Sequence, residues 1–96
     1  MYKFGTIVLI PFPFTDLTST KLRPALIISK TENHFEDVIV CFISSKIPQI
    51  ITECQFLLNT SHKCFGNTGL KTDSVFKFDK IATLNKKLIL GELGSV

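Results

Sequence analysis

No run in these 96 residues approaches the ~18 uncharged apolar positions that a membrane-spanning helix requires, because Lys, Asp, Asn and Pro interrupt every apolar stretch. A transmembrane helix is therefore not expected. A secretory signal is not expected either, since Met1 to Gly5 lead straight into a strand-like run that holds two prolines and no small-residue cleavage site. The cytoplasm is the expected location. The three cysteines, Cys41, Cys54 and Cys64, leave at least one unpaired and form no Cys-x-x-Cys motif, which disfavours a disulfide framework and fits reduced thiols. Charge is scarce too: Lys and Arg exceed Asp and Glu by only three, so a polyanionic partner is permitted without being specified. With no internal repeats, low-complexity tracts or linkers, residues 1–96 read as one domain.

What is abundant is β-forming apolar sequence. Hydrophobic residues make up 45% of the chain, enough to bury a core and too many for disorder. Residues 6–10, 23–29, 38–44 and 51–57 are rich in β-branched and aromatic types, and no long segment has helical periodicity. The second and third of these runs are apolar at nearly every position, as strands are when covered on both faces or wrapped into a small barrel. Residues 73–78 read as a further strand, and 81–84 with 88–90 read as a closing hairpin around Asn85, Lys86 and Lys87. Residues 11–22 and 30–37 read as loops. The first is long for a compact domain, and long loops in small domains are often functional.

If the second and third strands pair antiparallel with Ser29 opposite Val38, the register carries Arg23 to a position opposite Ser44. Directly opposed residues have Cβ atoms ~4.5–5.5 Å apart, so a guanidinium and a hydroxyl would share one edge of the sheet. Pro24 biases Arg23 toward an extended backbone, and Lys21, Ser45 and Lys46 flank the same end. Such a cluster suits a phosphodiester. The arginine fork can hold two phosphate oxygens and stabilise the added charge of a pentacoordinate transition state, while Ser44 supplies a further hydrogen bond. In RNA the substrate's own 2′-hydroxyl can attack, so neither an enzymatic nucleophile nor a metal or cofactor is called for. Arginine keeps its proton in proteins, which makes Arg23 an electrostatic stabiliser or proton donor rather than a conventional base. Taken singly, Arg23 is a surface charge and Ser44 a strand-end residue; their convergence beside the long loop is what favours chemistry.

The runs GTIVLIPFPFTD (5–16), LRPALIIS (22–29) and VIVCFISS (38–45) resemble, in order and spacing, the N-terminal half of MazF/PemK-like toxins, especially the branch carrying PFPFTD. Gly69-Leu70, Asp73-Ser74-Val75 and residues 80–84 resemble that family's C-terminal strands, so the likeness covers most of the chain. The resemblance implies a mainly β, small SH3-like barrel of the MazF/PemK/CcdB type, a homodimer, a cognate antitoxin, and metal-independent endoribonuclease activity on single-stranded RNA. It maps the catalytic pair onto Arg23 and Ser44. It also assigns RNA contacts to Thr15, Asp16, Thr18 and Ser19 in the long loop, beside Lys21, Ser45 and Lys46. Two departures stand out: Thr6 occupies a position that is usually acidic, and Ser44 one that is usually threonine, although the hydroxyl is kept.

Other readings compete. His34 and His62 could serve as an acid and base, but His34 falls at the opposite end of the hairpin from Arg23. Cys54, His62 and Cys64 could be metal ligands, yet a strand cysteine is more often a small buried hydrophobe. Most of the nine Phe residues must form the core; Phe12 and Phe14, beside the loop, are the ones placed to stack on bases. From another class, the same small barrel in a related toxin family inhibits DNA gyrase without cutting RNA, so a protein-binding or RNA-binding module without turnover is the alternative.

Overall fold

The apolar runs become, in a computed structural model that describes residues 3–12, 21–30 and 36–96, one strongly curled antiparallel sheet. Its strands are β1 (Thr6–Phe12), β2 (Lys21–Lys30), β3 (Asp37–Ser44), β4 (Gln55–Leu58), β5 (Ser74–Asn85) and β6 (Gly91–Ser95). They lie in the order β4-β5-β3-β2-β1-β6, a half-barrel in keeping with the expected small β-barrel.

The central runs are apolar throughout because both faces of the sheet are covered. Val8, Ile10, Ala25, Ile27, Val38 and Val40 form one core with Leu84 and Ile89. Alternate residues Ile7, Leu26, Cys41 and Ile43 form a second with Leu58 and Phe76. A slip of one residue would exchange these two sets between faces, and with several fully buried side chains at stake, each worth about 1.5–3 kcal/mol, the register is held firmly.

The second core is closed by a single helical turn, α1 (Phe65–Thr68), whose Phe65 packs on it together with Leu70 and Leu93. Thr68 is fully buried and satisfied: its Oγ1 donates to the Phe65 carbonyl at 2.6 Å and accepts from the Leu70 amide at 3.1 Å. Gly69 ends the turn in the left-handed region at φ 76°, which a side chain rarely adopts. This geometry sends Leu70 into the core and leaves Lys71 and Thr72 on the wall of a cavity.

Several expected boundaries shift. The first predicted loop is shorter than 11–22, since Pro11 and Phe12 pair with Leu22 and Lys21 and extend the β1–β2 hairpin; residues 13–20 lie outside the described residues. Likewise Lys30 and Asp37 belong to strands rather than to the second loop. The predicted strand 51–57 begins only at Gln55, where pairing with β5 becomes available, and Cys54 is exposed in the preceding turn instead of buried in a strand. No closing hairpin forms. Residues 81–84 are the far half of β5, paired with β3, whereas β6 pairs with β1. The chain is turned between them by a 3-10 segment, Lys86–Leu88, whose entry is capped by Asn85 Oδ1 accepting from the Lys87 amide at 2.9 Å. The Leu90 amide then donates to the Leu9 carbonyl at 2.9 Å and hands the chain to β1.

Candidate functional site

The offset expected between β2 and β3 is present where it bears on the site: Ala25 faces Phe42, Leu26 faces Cys41 and Ile27 faces Val40. Nearer the loop the anchor pair is displaced. Ser29 lies opposite Ile39 and Lys30 opposite Val38, because β2 accommodates one additional residue, Ile28, which packs beside the second core. The Ala25–Phe42 pair stands two residues from Arg23 on one strand and two from Ser44 on the other. Both of these residues line one cavity of about 790 Å³ at this end of the sheet.

Each is set by a different constraint. Arg23 is mounted on β2 opposite Ile10 of β1, with Pro24 next to it, and its side chain is exposed. Ser44 ends β3 opposite Val75 of β5 and is half-buried. Its Oγ accepts the Lys46 amide at 3.1 Å, which turns the chain away from the sheet and leaves the hydroxyl proton available to a ligand. Ser45 and Lys46, exposed on this turn, also line the cavity. The structure thus gathers Arg23, Ser44, Ser45 and Lys46. Lys21 is exposed on β2 opposite Phe12 and is not part of the lining. Thr15, Asp16, Thr18 and Ser19 lie outside the described residues, as do Phe14 and His34.

Three lysines escaped sequence reasoning. Lys71, Lys77 and Lys80 share the lining with Arg23 and Lys46, so among the described residues the cavity wall carries five cationic side chains and no carboxylate. Their only local signature was Lys77 and Lys80 flanking Asp79, a pattern that reads as solvated edge until the pairing of β5 with β3 is known. Ser45, Lys71 and Thr72 also line a shallower depression of about 580 Å³ beside the cavity. There the Asp73 carboxylate is engaged by the Thr60 amide at 2.7 Å.

Elsewhere among the described residues, some charged and reactive groups have local partners. Glu36 pairs with Lys86 near the opposite end of β3, and the hydrogen bond from Lys86, followed by its charge, holds the Glu36 carboxyl below its ordinary range. His62 Nδ1 accepts the Cys64 amide at 3.0 Å in the turn before α1, so it works on its own loop. Burial in the second core pushes the Cys41 thiol up to about 11. A field of one sign within a concave wall concentrates polyanions, and arginine and serine, the residue types at 23 and 44, are ones that grip and polarise a phosphodiester.

The family model of the PemK-like, MazF-like toxins of type II toxin-antitoxin systems matches residues 3–96. The chain belongs to that family. None of the curated proteins matches it. The match runs through every described strand, so Arg23, Ser44 and the β5 lysines all belong to the PemK-like domain. Thr6, which departs from the acidic residue usual in these toxins, sits at the start of β1 opposite Ser95 of β6, away from the lining. In this PemK-like toxin no helix of the described residues is long and apolar enough to cross a membrane.

Proposed function

We propose that this PemK-like toxin is an endoribonuclease that cuts single-stranded RNA, using the substrate's own 2′-hydroxyl as nucleophile. The observation that carries the reading is the shared placement of Arg23 and Ser44 on a concave wall that, among the described residues, carries five cations and no carboxylate. Such a wall balances phosphate charge with protein side chains. In the reaction the 2′-oxygen forms a bond to phosphorus as the bond to the 5′-oxygen breaks. The 2′-hydroxyl proton passes to solvent, and the departing 5′-oxygen takes a proton from solvent. The products are a 2′,3′-cyclic phosphate and a 5′-hydroxyl. Arg23 stabilises the negative charge gained at the non-bridging oxygens, and the Ser44 hydroxyl, its lone pair occupied by the Lys46 amide, donates to one of them.

A homodimer and a cognate antitoxin belong to the same reading, as does a cytoplasmic location. Exposed Ile50 and Ile51, before the edge strand β4, and Phe56 on it are apolar surface suited to a protein partner. The decisive experiment is cleavage of a long single-stranded RNA in EDTA by the purified protein beside Arg23→Ala. Cuts ending in 2′,3′-cyclic phosphate that drop by about 10²–10³-fold in the variant are expected. Equal cutting by both proteins would trace the activity to a contaminant. A folded wild type that cuts no RNA would shift the reading to a binding module.

A further inference from the structure

Strand β5 carries an irregularity directly beside the candidate site. Along β3 the partners advance by one residue, from Cys41 to Phe42, while on β5 they jump from Ile81 to Lys77. Phe78, Asp79 and Lys80 are therefore extra residues relative to β3, and the pairing of β5 with β4 begins at Lys77 opposite Gln55. In a regular strand, residues three apart point to opposite faces. Lys77 and Lys80 nevertheless line the same cavity. The bulge is what re-aims Lys80, and it leaves the intervening Asp79 exposed and outside the lining. This local kink sorts charge: two cations face the cavity and the anion between them does not.

The position of Lys77 relative to the candidate catalytic residues is also defined. Lys77 is opposite Phe42, two residues from Ser44 on the same strand, and thus diagonal to the Ser44–Val75 pair. Diagonal neighbours have Cα atoms ~7–8 Å apart, within reach of a lysine side chain. A phosphate next to one gripped by Arg23 and Ser44 is what an ammonium at that distance would meet.

We infer that the β5 bulge builds a second phosphate subsite, in which Lys77 and Lys80 hold the RNA backbone one nucleotide from the cleaved bond. The inference rests on the endoribonuclease reading for its substrate class and adds that the enzyme grips at least two consecutive phosphates. Lysine suits this task because its point charge accepts a phosphate at varied angles, whereas the fork of Arg23 suits the one phosphate that must be oriented. The subsite is independent of base identity, so it contributes affinity and register rather than sequence choice.

The test is the salt dependence of binding to a labelled, uncleavable 2′-O-methyl single-stranded RNA. It compares the wild type with the double variant Lys77→Ala/Lys80→Ala, the double variant Lys77→Arg/Lys80→Arg, and Lys63→Ala, an exposed lysine outside the lining. Each phosphate contact contributes ~0.7 to the slope of log affinity against log salt on a single strand. The alanine pair is expected to lower the slope by about 0.7–1.4 with its thermal melt unchanged, the arginine pair to restore it, and Lys63→Ala to leave it alone. An unchanged slope in the alanine pair, or an equal fall in Lys63→Ala, would overturn the subsite. So would a wild type that does not bind this RNA, or an alanine pair that loses only poly-glutamate binding, which would assign the lysines to an acidic protein partner. Binding and cutting are read separately: a slope change in a protein that cuts no unmodified RNA retains the subsite and removes the nuclease reading, and an active enzyme with an unchanged slope does the reverse.

Discussion

Gly94→Ala tests how α1 and β6 close the second core. A Cβ built on Gly94 would lie 2.7 Å from the Thr68 carbonyl carbon and 2.8 Å from its oxygen, and closer still to the Asn67 carbonyl oxygen. These are backbone atoms, which cannot swing aside as a flexible side chain does. Ordinary contact starts near 3.4 Å, so relieving the Thr68 carbon alone takes ~0.7 Å, and the closer Asn67 oxygen requires β6 and α1 to separate by more than that. The approach is reciprocal, since a Cβ on Gly69 would meet the backbone of Leu93. Separation loosens Phe65, Leu70 and Leu93 over the second core and strains the β1–β6 ladder at Ile7–Gly94. Overpacking of this kind costs about 1–3 kcal/mol, and with backbone on both sides the upper half of that range is expected, about 2–3 kcal/mol. For a chain this short the melting temperature should fall by about 10–20 °C. Gly66→Ala is the matched control. It lies within α1 with nothing inside 4 Å of its added Cβ, and it should stabilise by about 0.5–1 kcal/mol. Urea unfolding at constant m-value measures both. A Gly94→Ala midpoint equal to or above wild type, or equal losses at the two glycines, would refute the close-packed α1–β6 contact.

At the candidate site, Ser44→Thr keeps the hydroxyl and should retain RNA cleavage within a few-fold, whereas Ser44→Ala should lower kcat by about tenfold or more. Equal rates for both variants in a gel-based cleavage assay would remove Ser44 from the chemistry. Cys41 should resist alkylation in the native protein while exposed Cys54 reacts, with all three thiols modified in denaturant; mass spectrometry of the labelled peptides reads the difference. Burial raises the Cys41 thiol from its ordinary value near 9 to about 11, so between those values the folded state keeps a proton that the unfolded state releases. Stability should therefore be intact below pH 9 and decline as pH rises toward 11, by up to roughly 2–3 kcal/mol, and Cys41→Ala should remove that part of the pH dependence.

The β character of residues 6–10, 23–29 and 38–44 was legible because their local composition and burial on both faces agree; a continuous apolar run has no other way to satisfy its side chains in a small sheet. The Arg23–Ser44 convergence was legible for a related reason, since two adjacent strands joined by a short connection leave few registers. It survived the displacement at Ile28 because the offset beyond the bulge is the one that reaches the site. The β5 pairing was not legible. Residues 73–78 and 81–84 look like separate short strands, and only the ladder with β3 joins them into one strand interrupted by a bulge. The supposed closing hairpin failed likewise, because a Lys-rich turn after Asn85 is compatible with a reversal or with a crossover, and the vacant edge of β1 decided for the crossover.

What the sequence determined by itself was the chemistry on hand and its nearest-neighbour arrangement: an arginine held extended before a proline, a hydroxyl ending the next strand, thiols without a partner pattern, and an apolar majority that must form sheet. Only the tertiary structure decided that the β5 lysines face this pair while Asp79 does not. Side-chain direction on a strand follows a period of two only until a bulge resets it, and where a bulge falls depends on the partner strand rather than on the residues within it.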